Sequence, residues 1–235
     1  MENKMSAAGG SVFGGKTFCV IPAYNEAANI AMVISQVKPL VDQVVVVDDG
    51  SADRTYELAK ASGAAALRHL INRGQGAALR TGTAYCLNQG AEIIVHFDAD
   101  GQFLAQDIKK ILAPLLTGDA AAVFGSRFLS EGGPAMPWLK KYLIMPLARA
   151  ANKIFFNVDL TDPQSGFRAM TAQAAETISW RQDHMAHCSE IMFAVKKNDL
   201  KTKEVPIQVV YRSFGLNLLD GFKILKDLFI ALMSS

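Results

Sequence analysis

The chain has 235 residues, half of them hydrophobic, and a formal net charge of +2 from 24 Lys and Arg against 22 Asp and Glu. This balance argues against a nucleic-acid-binding protein, and the hydrophobic content is sufficient for one large α/β core. Three cysteines, Cys19, Cys86 and Cys188, lie far apart among apolar neighbours. They favour buried thiols in a reducing compartment over a disulfide framework.

The two ends of the chain differ from its middle. Residues 1–16 are mostly small and polar and lack the apolar core of a signal peptide, so we expect a flexible tail there. No uninterrupted apolar stretch reaches the roughly 18 residues that a membrane-spanning helix needs. Over 216–235 we expect an amphipathic helix, and its apolar stripe fits either core packing or contact with a lipid surface.

Between these ends, short apolar runs alternate with helical periodicities. This alternation predicts βαβ units and a largely parallel central sheet flanked by helices. We expect strands at residues 17–24, 43–51, 64–70, 92–100 and 120–128, and a later strand at 204–212. Pro206 lacks an N–H group to donate, so it favours an edge position for that last strand.

The expected helices follow the strands in turn. The first begins after Asn25 and ends at Pro39, and Ser51 is a plausible N-cap of the second. A glycine-rich turn opens the third helix. Two later helices each carry an apolar face, formed by Ile108, Ile111, Leu112 and Leu115 in one and by Cys188, Ile191, Met192 and Val195 in the other.

Polar groups follow three of the predicted strands. They are Tyr24-Asn25-Glu26, Asp48-Asp49-Gly50-Ser51 and Asp98-Ala99-Asp100-Gly101-Gln102. In an open parallel sheet ligands bind outside the carboxyl ends of the strands, so the three groups are expected to converge on one edge. The alternative for each group alone is a solvated loop that caps the next helix.

The third group has the spacing of a cation site. Asp98 and Asp100 are separated by one residue, so both carboxylates can reach one hard ion such as Mg²⁺ or Mn²⁺, which commonly bridges carboxylates to substrate phosphates. Gln102 is positioned to add a neutral oxygen. A calcium-binding EF-hand loop is excluded, because the twelfth residue from Asp98 is Lys109 and not an acid.

The run "NRGQGAALRTG" contains Gly74 and Gly76, which resemble the start of a dinucleotide fingerprint. The third glycine of that fingerprint is replaced by Leu79, and the run follows the third strand instead of the first, so this interpretation is weak. A turn that brings a helix close to a ligand is the better interpretation.

The motifs "VIPAYNEAANI", "VVVVDDGSADRT", "NRGQGAALRTG", "HFDADGQ" and "GSRF" together resemble the family 2 glycosyltransferases of the GT-A fold. "DPQSGFRAM" resembles the subgroup that transfers a sugar from a nucleotide to a polyprenyl phosphate, as dolichyl-phosphate mannosyltransferases do. The resemblance covers residues 17–215. It implies a single Rossmann-like domain, an Asp-x-Asp metal site for Mg²⁺ or Mn²⁺, a GDP- or UDP-sugar donor, and inversion at the anomeric carbon.

The resemblance also implies roles for individual residues. The nucleotide pocket would contain Pro22, Ala23, Tyr24, Glu26, Asp49 and Gly76, with Asp98 on its sugar and ribose side. Asp100 and Gln102 would hold the metal, Arg127 would bind the acceptor phosphate with Lys140 or Lys141, and Glu190 would lie near the donor sugar or the acceptor. The catalytic set would be Asp98, Asp100, Arg127 and Glu190.

An acceptor role for Arg127 is chemically reasonable in its own right. A lipid monophosphate is already an anion at neutral pH, so it needs a cation to position it more than a base to activate it. The planar guanidinium fork matches phosphate geometry. The alternative is an ordinary surface salt bridge.

The remaining polar side chains have competing interpretations. His184, His187 and Glu190 share one helical face, but their spacing differs from H-E-x-x-H, so a role other than zinc binding is favoured. Arg168 of "SGFR" is expected to pair with an acid near the site or to form a structural ion pair. His69 and His96 lie in strand contexts and are expected to be satisfied core or near-core residues.

Two other functions remain open. The same fold could transfer sugar to a saccharide or protein hydroxyl, with Glu190 or another carboxylate as the base, or it could bind nucleotide sugars without catalysis. For the lipid-linked enzyme we expect a peripheral position at the cytoplasmic face of a membrane. Its expected partners are the lipid phosphate, the membrane surface, and an anchoring protein or a second copy of the chain; none is a nucleic acid.

Overall fold

A computed structural model describes residues 16–129 and 160–210. Seven strands in these residues form one sheet with the order β3-β2-β1-β4-β6-β5-β7. The strands are β1 (Thr17–Ala23), β2 (Gln43–Asp48), β3 (Ala65–Arg68), β4 (Ile93–His96), β5 (Ala122–Ser126), β6 (Arg168–Thr171) and β7 (Thr202–Pro206).

Helices cover both faces of this sheet. They are α1 (Ile30–Val37), α2 (Thr55–Ala61), α3 (Gln75–Asn88), α4 (Ile108–Leu116), α5 (Ala172–Thr177) and α6 (His187–Lys197), with short 3-10 helices at Lys38–Leu40 and Ala105–Asp107. Side chains of α1, α2 and α4 belong to the apolar core on one face, and those of α3, α5 and α6 to the core on the other. The result is a three-layer α/β/α arrangement.

The strands β3, β2, β1 and β4 are mutually parallel, and so are β5 and β7. The valine run of β2, residues 44–47, is buried throughout, as expected for a strand covered by helices on both faces. β7 lies at an edge of the sheet, where Pro206 placed the last predicted strand. The predicted α/β class with a mostly parallel sheet is confirmed.

The structure corrects several details of the expected elements. Residues 168–171 form a strand that was not expected, and this strand runs antiparallel between β4 and β5. Its four residues are too short a run for a periodic signal. The predicted strands at 43–51 and 92–100 end earlier, at Asp48 and His96, because their acidic residues belong to the loops that follow. The strand predicted at 204–212 is found over Thr202–Pro206, and residues 211 and 212 lie outside the described ranges.

Ser51 is not the N-cap of α2, which begins only at Thr55. The Ser51 hydroxyl instead accepts a hydrogen bond from the backbone N–H of Asn25 at 2.9 Å, while the Asp53 carboxylate accepts one from the N–H of Thr55 at 3.0 Å. The serine therefore joins the loops after β1 and β2 instead of starting a helix.

Several expectations fall on residues outside the described ranges: the N-terminal tail, Lys140 and Lys141, and the amphipathic helix over 216–235. The three cysteines are buried and free, as predicted. Residues 16–129 and 160–210 contain no helix with the length and apolar content to cross a bilayer.

Candidate active site

A cavity of about 370 Å³ opens at the carboxyl ends of β1, β2 and β4. It is lined by Pro22, Ala23, Tyr24, Glu26, Asp49, Asn72, Gly74, Gln75, Ala78, Asp98, Ala99 and Asp100. All three polar groups that follow these strands contribute to it. The predicted convergence on one edge of the sheet is therefore confirmed, and it favours a common site over a solvated capping loop for each group alone.

The β1 end forms one wall of the cavity. Pro22 and Ala23 are buried, whereas Tyr24 exposes 49% of its surface. Glu26 is fixed at its backbone, where its N–H donates to the Thr55 hydroxyl at 2.8 Å, and at its carboxylate, which accepts from the amide of Asn29 at 2.8 Å. This wall thus combines an exposed aromatic ring with an anchored carboxylate.

Asp49 holds the loop that leads into α3. Its buried carboxylate accepts hydrogen bonds from the backbone N–H groups of Arg73 at 3.0 Å and Gly74 at 2.6 Å, and it lies 2.6 Å from Nδ1 of His69. The other ring nitrogen of His69 contacts the Thr81 hydroxyl at 2.9 Å. The expected near-core histidine is thus one member of a chain that orders the cavity wall.

The β4 end supplies the two carboxylates. The side-chain amide of Gln75 donates to Oδ1 of Asp98 at 2.9 Å, and the backbone N–H of Gln102 donates to Oδ1 of Asp100 at 2.9 Å. Burial, together with the negative charge of Asp100, raises the pKa of Asp98 to about 6. The repulsion between these oxygens is what a bound cation would relieve, so the pair fits a hard divalent ion.

Within residues 16–129 and 160–210, no cluster of three or more His, Cys, Asp or Glu side chains could hold a metal. A divalent ion at Asp98 and Asp100 would therefore complete its shell with water and substrate phosphates, which is the usual arrangement for Mg²⁺. Gln102 is half-buried and does not line the cavity; its backbone carbonyl accepts from the N–H of Val210 at 2.8 Å.

Gly166 of the "SGFR" stretch approaches Asp98 closely. A Cβ atom at position 166 would lie 2.6 Å from Oδ2 of Asp98, which is shorter than any normal contact. The absence of a side chain therefore lets this loop pack directly on the Asp98 carboxylate.

Gly76 contacts a different segment. Its N–H donates to the carbonyl of Asp183 at 2.7 Å, its carbonyl accepts from the Trp180 indole at 2.8 Å, and a Cβ there would lie 2.3 Å from the carbonyl oxygen of Gln182. The glycine thus permits close approach of residues 180–183 to the start of α3, and it is Gly74 that lines the cavity.

Arg127 follows β5, and its guanidinium contacts a buried acid. Its Nε and Nη2 donate to the two carboxylate oxygens of Asp162 at 2.6 and 2.8 Å. The positive charges of Arg168 and Arg127 act on Asp98 and partly offset the rise in its pKa. Arg127 thus forms a salt bridge, as the alternative interpretation expected, but its partner Asp162 is buried and accepts two hydrogen bonds from the guanidinium.

Glu190 lies at the start of α6, outside the cavity lining. Its Oε2 accepts hydrogen bonds from the backbone N–H groups of Arg181 at 2.7 Å and Gln182 at 2.8 Å. The carboxylate thus fixes the segment that packs on Gly76. The structure does not bring Glu190 together with Asp98 and Asp100 in the cavity.

His187 at the start of α6 and Arg168 of β6 form a buried contact. Nε2 of His187 lies 3.1 Å from Nη2 of Arg168, and Nδ1 lies 2.8 Å from the carbonyl oxygen of His184. Burial and the nearby guanidinium lower the pKa of His187 to about 4. Within the described segments Arg168 has no hydrogen bond to a carboxylate, so the expected acidic partner is not found there. His96 is a core residue, with Nε2 on the Thr83 hydroxyl.

Three side chains at or near the site were not singled out from the sequence: Asn72, Gln75 and Asp162. The first two belong to "NRGQG" and line the cavity, and Gln75 contacts Asp98 directly. The signal was the polar character of that turn between its glycines. Asp162 precedes "PQSGFR", but its role depends on Arg127, which is distant in sequence.

Comparisons with known proteins agree with this geometry. The family model described as Glycosyl transferase family 2 matches residues 18–179. UDP-N-acetylglucosamine–dolichyl-phosphate N-acetylglucosaminyltransferase of Methanococcus voltae is 32% identical over 239 residues, covering 88% of this chain and 92% of that protein. Polyprenol monophosphomannose synthase of Mycolicibacterium smegmatis is 29% identical over 226 residues, covering 91% of this chain and 84% of that protein.

Among solved structures, the chain is similar to glucosyl-3-phosphoglycerate synthase from Mycobacterium tuberculosis in complex with Mn²⁺ and UDP-glucose. The TM-score is 0.71 at 23% identity, covering 94% of this chain and 79% of that chain. This similarity confirms the GT-A fold. The family model spans more than half of the sequence, and it shows that the chain belongs to glycosyltransferase family 2.

Proposed function

We propose that this glycosyltransferase moves a sugar from a nucleoside diphosphate sugar to a polyprenyl phosphate, with a divalent cation and with inversion at the anomeric carbon. The observation that carries the proposal is the meeting of Asp98 and Asp100 with the N-terminus of α3 in one cavity. Carboxylates that favour a cation thus lie beside a helix end whose dipole favours phosphate oxygens.

The cavity offers separate surfaces to the parts of the donor. Pro22, Ala23, Tyr24, Glu26 and Asp49 form the end proposed for the base and ribose. Gly74 and Gln75 lie at the start of α3, where the positive end of the helix dipole favours a diphosphate. Gly76 supports this end indirectly, by letting residues 180–183 pack against it.

Asp100 and Gln102 are the proposed metal-binding residues, with Asp98 facing the sugar and ribose. A bound Mg²⁺ or Mn²⁺ would supply positive charge for the departing nucleoside diphosphate. Gln75 holds one oxygen of Asp98 in place through its 2.9 Å hydrogen bond. The Gln75 side chain and the Gln102 backbone thus orient the two carboxylates before the donor binds.

The proposed acceptor phosphate binds at Arg127. One phosphate oxygen attacks the anomeric carbon while the bond from that carbon to the donor diphosphate breaks. The configuration at the anomeric carbon is inverted, and the nucleoside diphosphate leaves. The attacking oxygen carries no proton, so this step needs no general base. Lys140 and Lys141, outside the described residues, are proposed to add positive charge to the same phosphate.

The names of two relatives support this acceptor class, since one is called a dolichyl-phosphate transferase and the other a polyprenol monophosphomannose synthase. We extend the proposal to a peripheral position at the cytoplasmic face of a membrane, with an anchoring partner or a second copy. The hydroxyl-acceptor alternative gains no support from Glu190, because one of its oxygens holds two backbone N–H groups.

The test is transfer of radiolabelled sugar to polyprenyl phosphate, with a panel of GDP- and UDP-sugars and with or without Mn²⁺. We expect one donor to give a lipid-linked product, only with the metal, and the opposite anomeric configuration in that product. Transfer to free saccharides alone, or hydrolysis without lipid product, would contradict the proposed acceptor.

Arg127→Ala tests the acceptor role directly. We expect slower turnover with polyprenyl phosphate and unchanged affinity for the nucleotide. Lys109→Ala, which removes an exposed positive charge on α4, serves as the matched control and should leave both properties unchanged. An equal loss of donor binding and turnover in Arg127→Ala would remove Arg127 from the acceptor site.

A further inference from the structure

Two acids outside the proposed binding machinery hold Arg127, one by direct contact and the other by holding the first acid. Asp162 contacts Arg127, and Glu204 contacts the turn that carries Asp162. We infer that Asp162 and Glu204 are positioning residues that fix the guanidinium for the acceptor phosphate. This inference rests on the proposed function, because it takes Arg127 as the phosphate-binding residue.

The first step is the pair between Arg127 and Asp162. The Asp162 side chain is 2% exposed and that of Arg127 is 32% exposed, so a buried acid holds a cation that still reaches the surface. Three donors of Arg127 bind this carboxylate: Nε at 2.6 Å, Nη2 at 2.8 Å and the backbone N–H at 3.1 Å. Both the head group and the start of the side chain are therefore fixed.

The second step fixes Asp162 itself. The Glu204 carboxylate, on edge strand β7, accepts from the backbone N–H groups of Thr161 at 2.8 Å and Asp162 at 3.0 Å, and from the Thr161 hydroxyl at 3.1 Å. That hydroxyl also contacts the hydroxyl of Ser126, the residue before Arg127. The contacts form a closed loop from β5 through the 161–162 turn to β7.

We call the contacts among Arg127, Asp162 and Glu204 the clamp, and it should favour phosphate binding for two reasons. A long arginine side chain loses conformational freedom when it binds a ligand, and ordering it beforehand lowers that cost. Paired charge-assisted hydrogen bonds also fix the plane of the guanidinium, on which bidentate phosphate recognition depends.

The same clamp brings the negative charge of Asp162 close to the acceptor. The direction in which acceptor binding changes when this charge is removed therefore distinguishes two explanations. If electrostatics alone mattered, removing the charge of Asp162 would improve binding of an anionic acceptor. If positioning matters more, the same change would weaken acceptor binding. Asp162→Asn keeps the shape of the side chain, so it separates the two effects.

We expect Asp162→Asn to raise the KM for polyprenyl phosphate by on the order of 10- to 100-fold, the loss typical of charge-assisted hydrogen bonds. The affinity for the nucleotide should not change. Glu204→Gln should give a smaller change in the same direction. Asp119→Asn, which breaks the exposed pair with Lys203 beside Glu204, is the matched control and should leave the KM unchanged.

A second measurement follows the clamp directly and does not depend on turnover. In ¹⁵N NMR spectra of the full chain, the Nε–H signal of Arg127 should exchange slowly with water. It should exchange faster in Asp162→Asn and in Glu204→Gln, and it should be unchanged in Asp119→Asn. Equal exchange in all four proteins would show that the acids do not order the guanidinium.

The outcomes separate this inference from the proposed function. An unchanged or lower KM in Asp162→Asn, with Arg127→Ala still defective in acceptor use, overturns the positioning role and leaves the acceptor site intact. If the unmodified protein transfers no sugar to polyprenyl phosphate, or if Arg127→Ala uses it normally, the proposed function and this inference fail together.

Discussion

The sheet has two halves that build their parts of the site in different ways. In the first half, strands β3, β2, β1 and β4, each carboxylate of the cavity belongs to the loop that follows its own strand, and hydrogen bonds join these loops to neighbouring segments of the same half. In the second half, strands β6, β5 and β7, Arg127 depends on an acid 35 residues away, and the turn that carries this acid depends on a residue about 43 further along. Neighbouring strand-end loops thus form the cavity, whereas a chain of contacts that starts at β7 fixes the Arg127 guanidinium.

This difference has a consequence for mutations. A change in the first half should affect the cavity and leave Arg127 in place, because the contacts of Asp49 and Glu26 join loops of that half only. A change in the second half should spread along the chain of contacts from β7 to Arg127.

Asp100→Ala should have the largest effect, because it removes a proposed cation ligand from the first half. We expect loss of metal-dependent nucleotide binding and turnover lower by on the order of 10²- to 10³-fold or more. Calorimetry with GDP and UDP, with and without Mn²⁺, measures the binding. The control is Asp119→Ala, which replaces an exposed acid that does not line the cavity. Full metal-dependent affinity in Asp100→Ala would place the cation elsewhere.

Acid should destabilise the contact between α6 and β6, in the second half of the sheet, through protonation of His187. The folded protein holds the pKa of His187 at about 4, below its ordinary value of 6.5. Between these two values the unfolded chain binds a proton at His187 and the folded protein does not. The free energy of unfolding therefore falls as the pH drops from about 6.5 towards 4, by up to about 3 kcal/mol from this group.

The measurement is the free energy of unfolding in urea across that pH range. His187→Gln cannot take up the proton, so its stability should fall less steeply. Identical slopes for the two proteins would show that His187 is not held neutral by its surroundings.

Asp49→Asn should act on the first half alone. The buried carboxylate holds two backbone N–H groups and His69, and an amide replaces only part of these contacts. We expect a loss of about 1.5–3 kcal/mol in unfolding free energy, with weaker nucleotide binding. The KM for the acceptor at saturating donor should not change. A raised acceptor KM would mean that the two halves are coupled more strongly than their contacts indicate.

The smallest effect is expected at the surface of the second half. Asp119→Asn breaks an exposed pair with Lys203, which neighbours Glu204 on β7. Exposed pairs contribute little, so the midpoint of urea unfolding should not shift measurably. Glu204→Gln, on the same strand, should shift it. A similar response of both variants would indicate that β7 tolerates any charge loss and that Glu204 has no special role.

The two halves also differ in what the sequence reveals. Asp98, Asp100 and Asp49 were identified because a buried apolar run directly precedes each polar group, and parallel strands bring such groups together. The strand at 168–171 and the pair of Arg127 with Asp162 were not identified, because nothing local in either segment specifies its partner. Gly76 and Glu190 were placed near ligands, but the structure shows them packing against residues 180–183.

The most direct test of the central claim is a crystal structure of the full chain with Mn²⁺ and a nucleoside diphosphate. We predict an anomalous manganese peak within coordination distance of an Asp100 oxygen, bridging to the diphosphate at the start of α3. A nucleotide bound elsewhere, or a manganese peak away from both Asp98 and Asp100, would contradict the account.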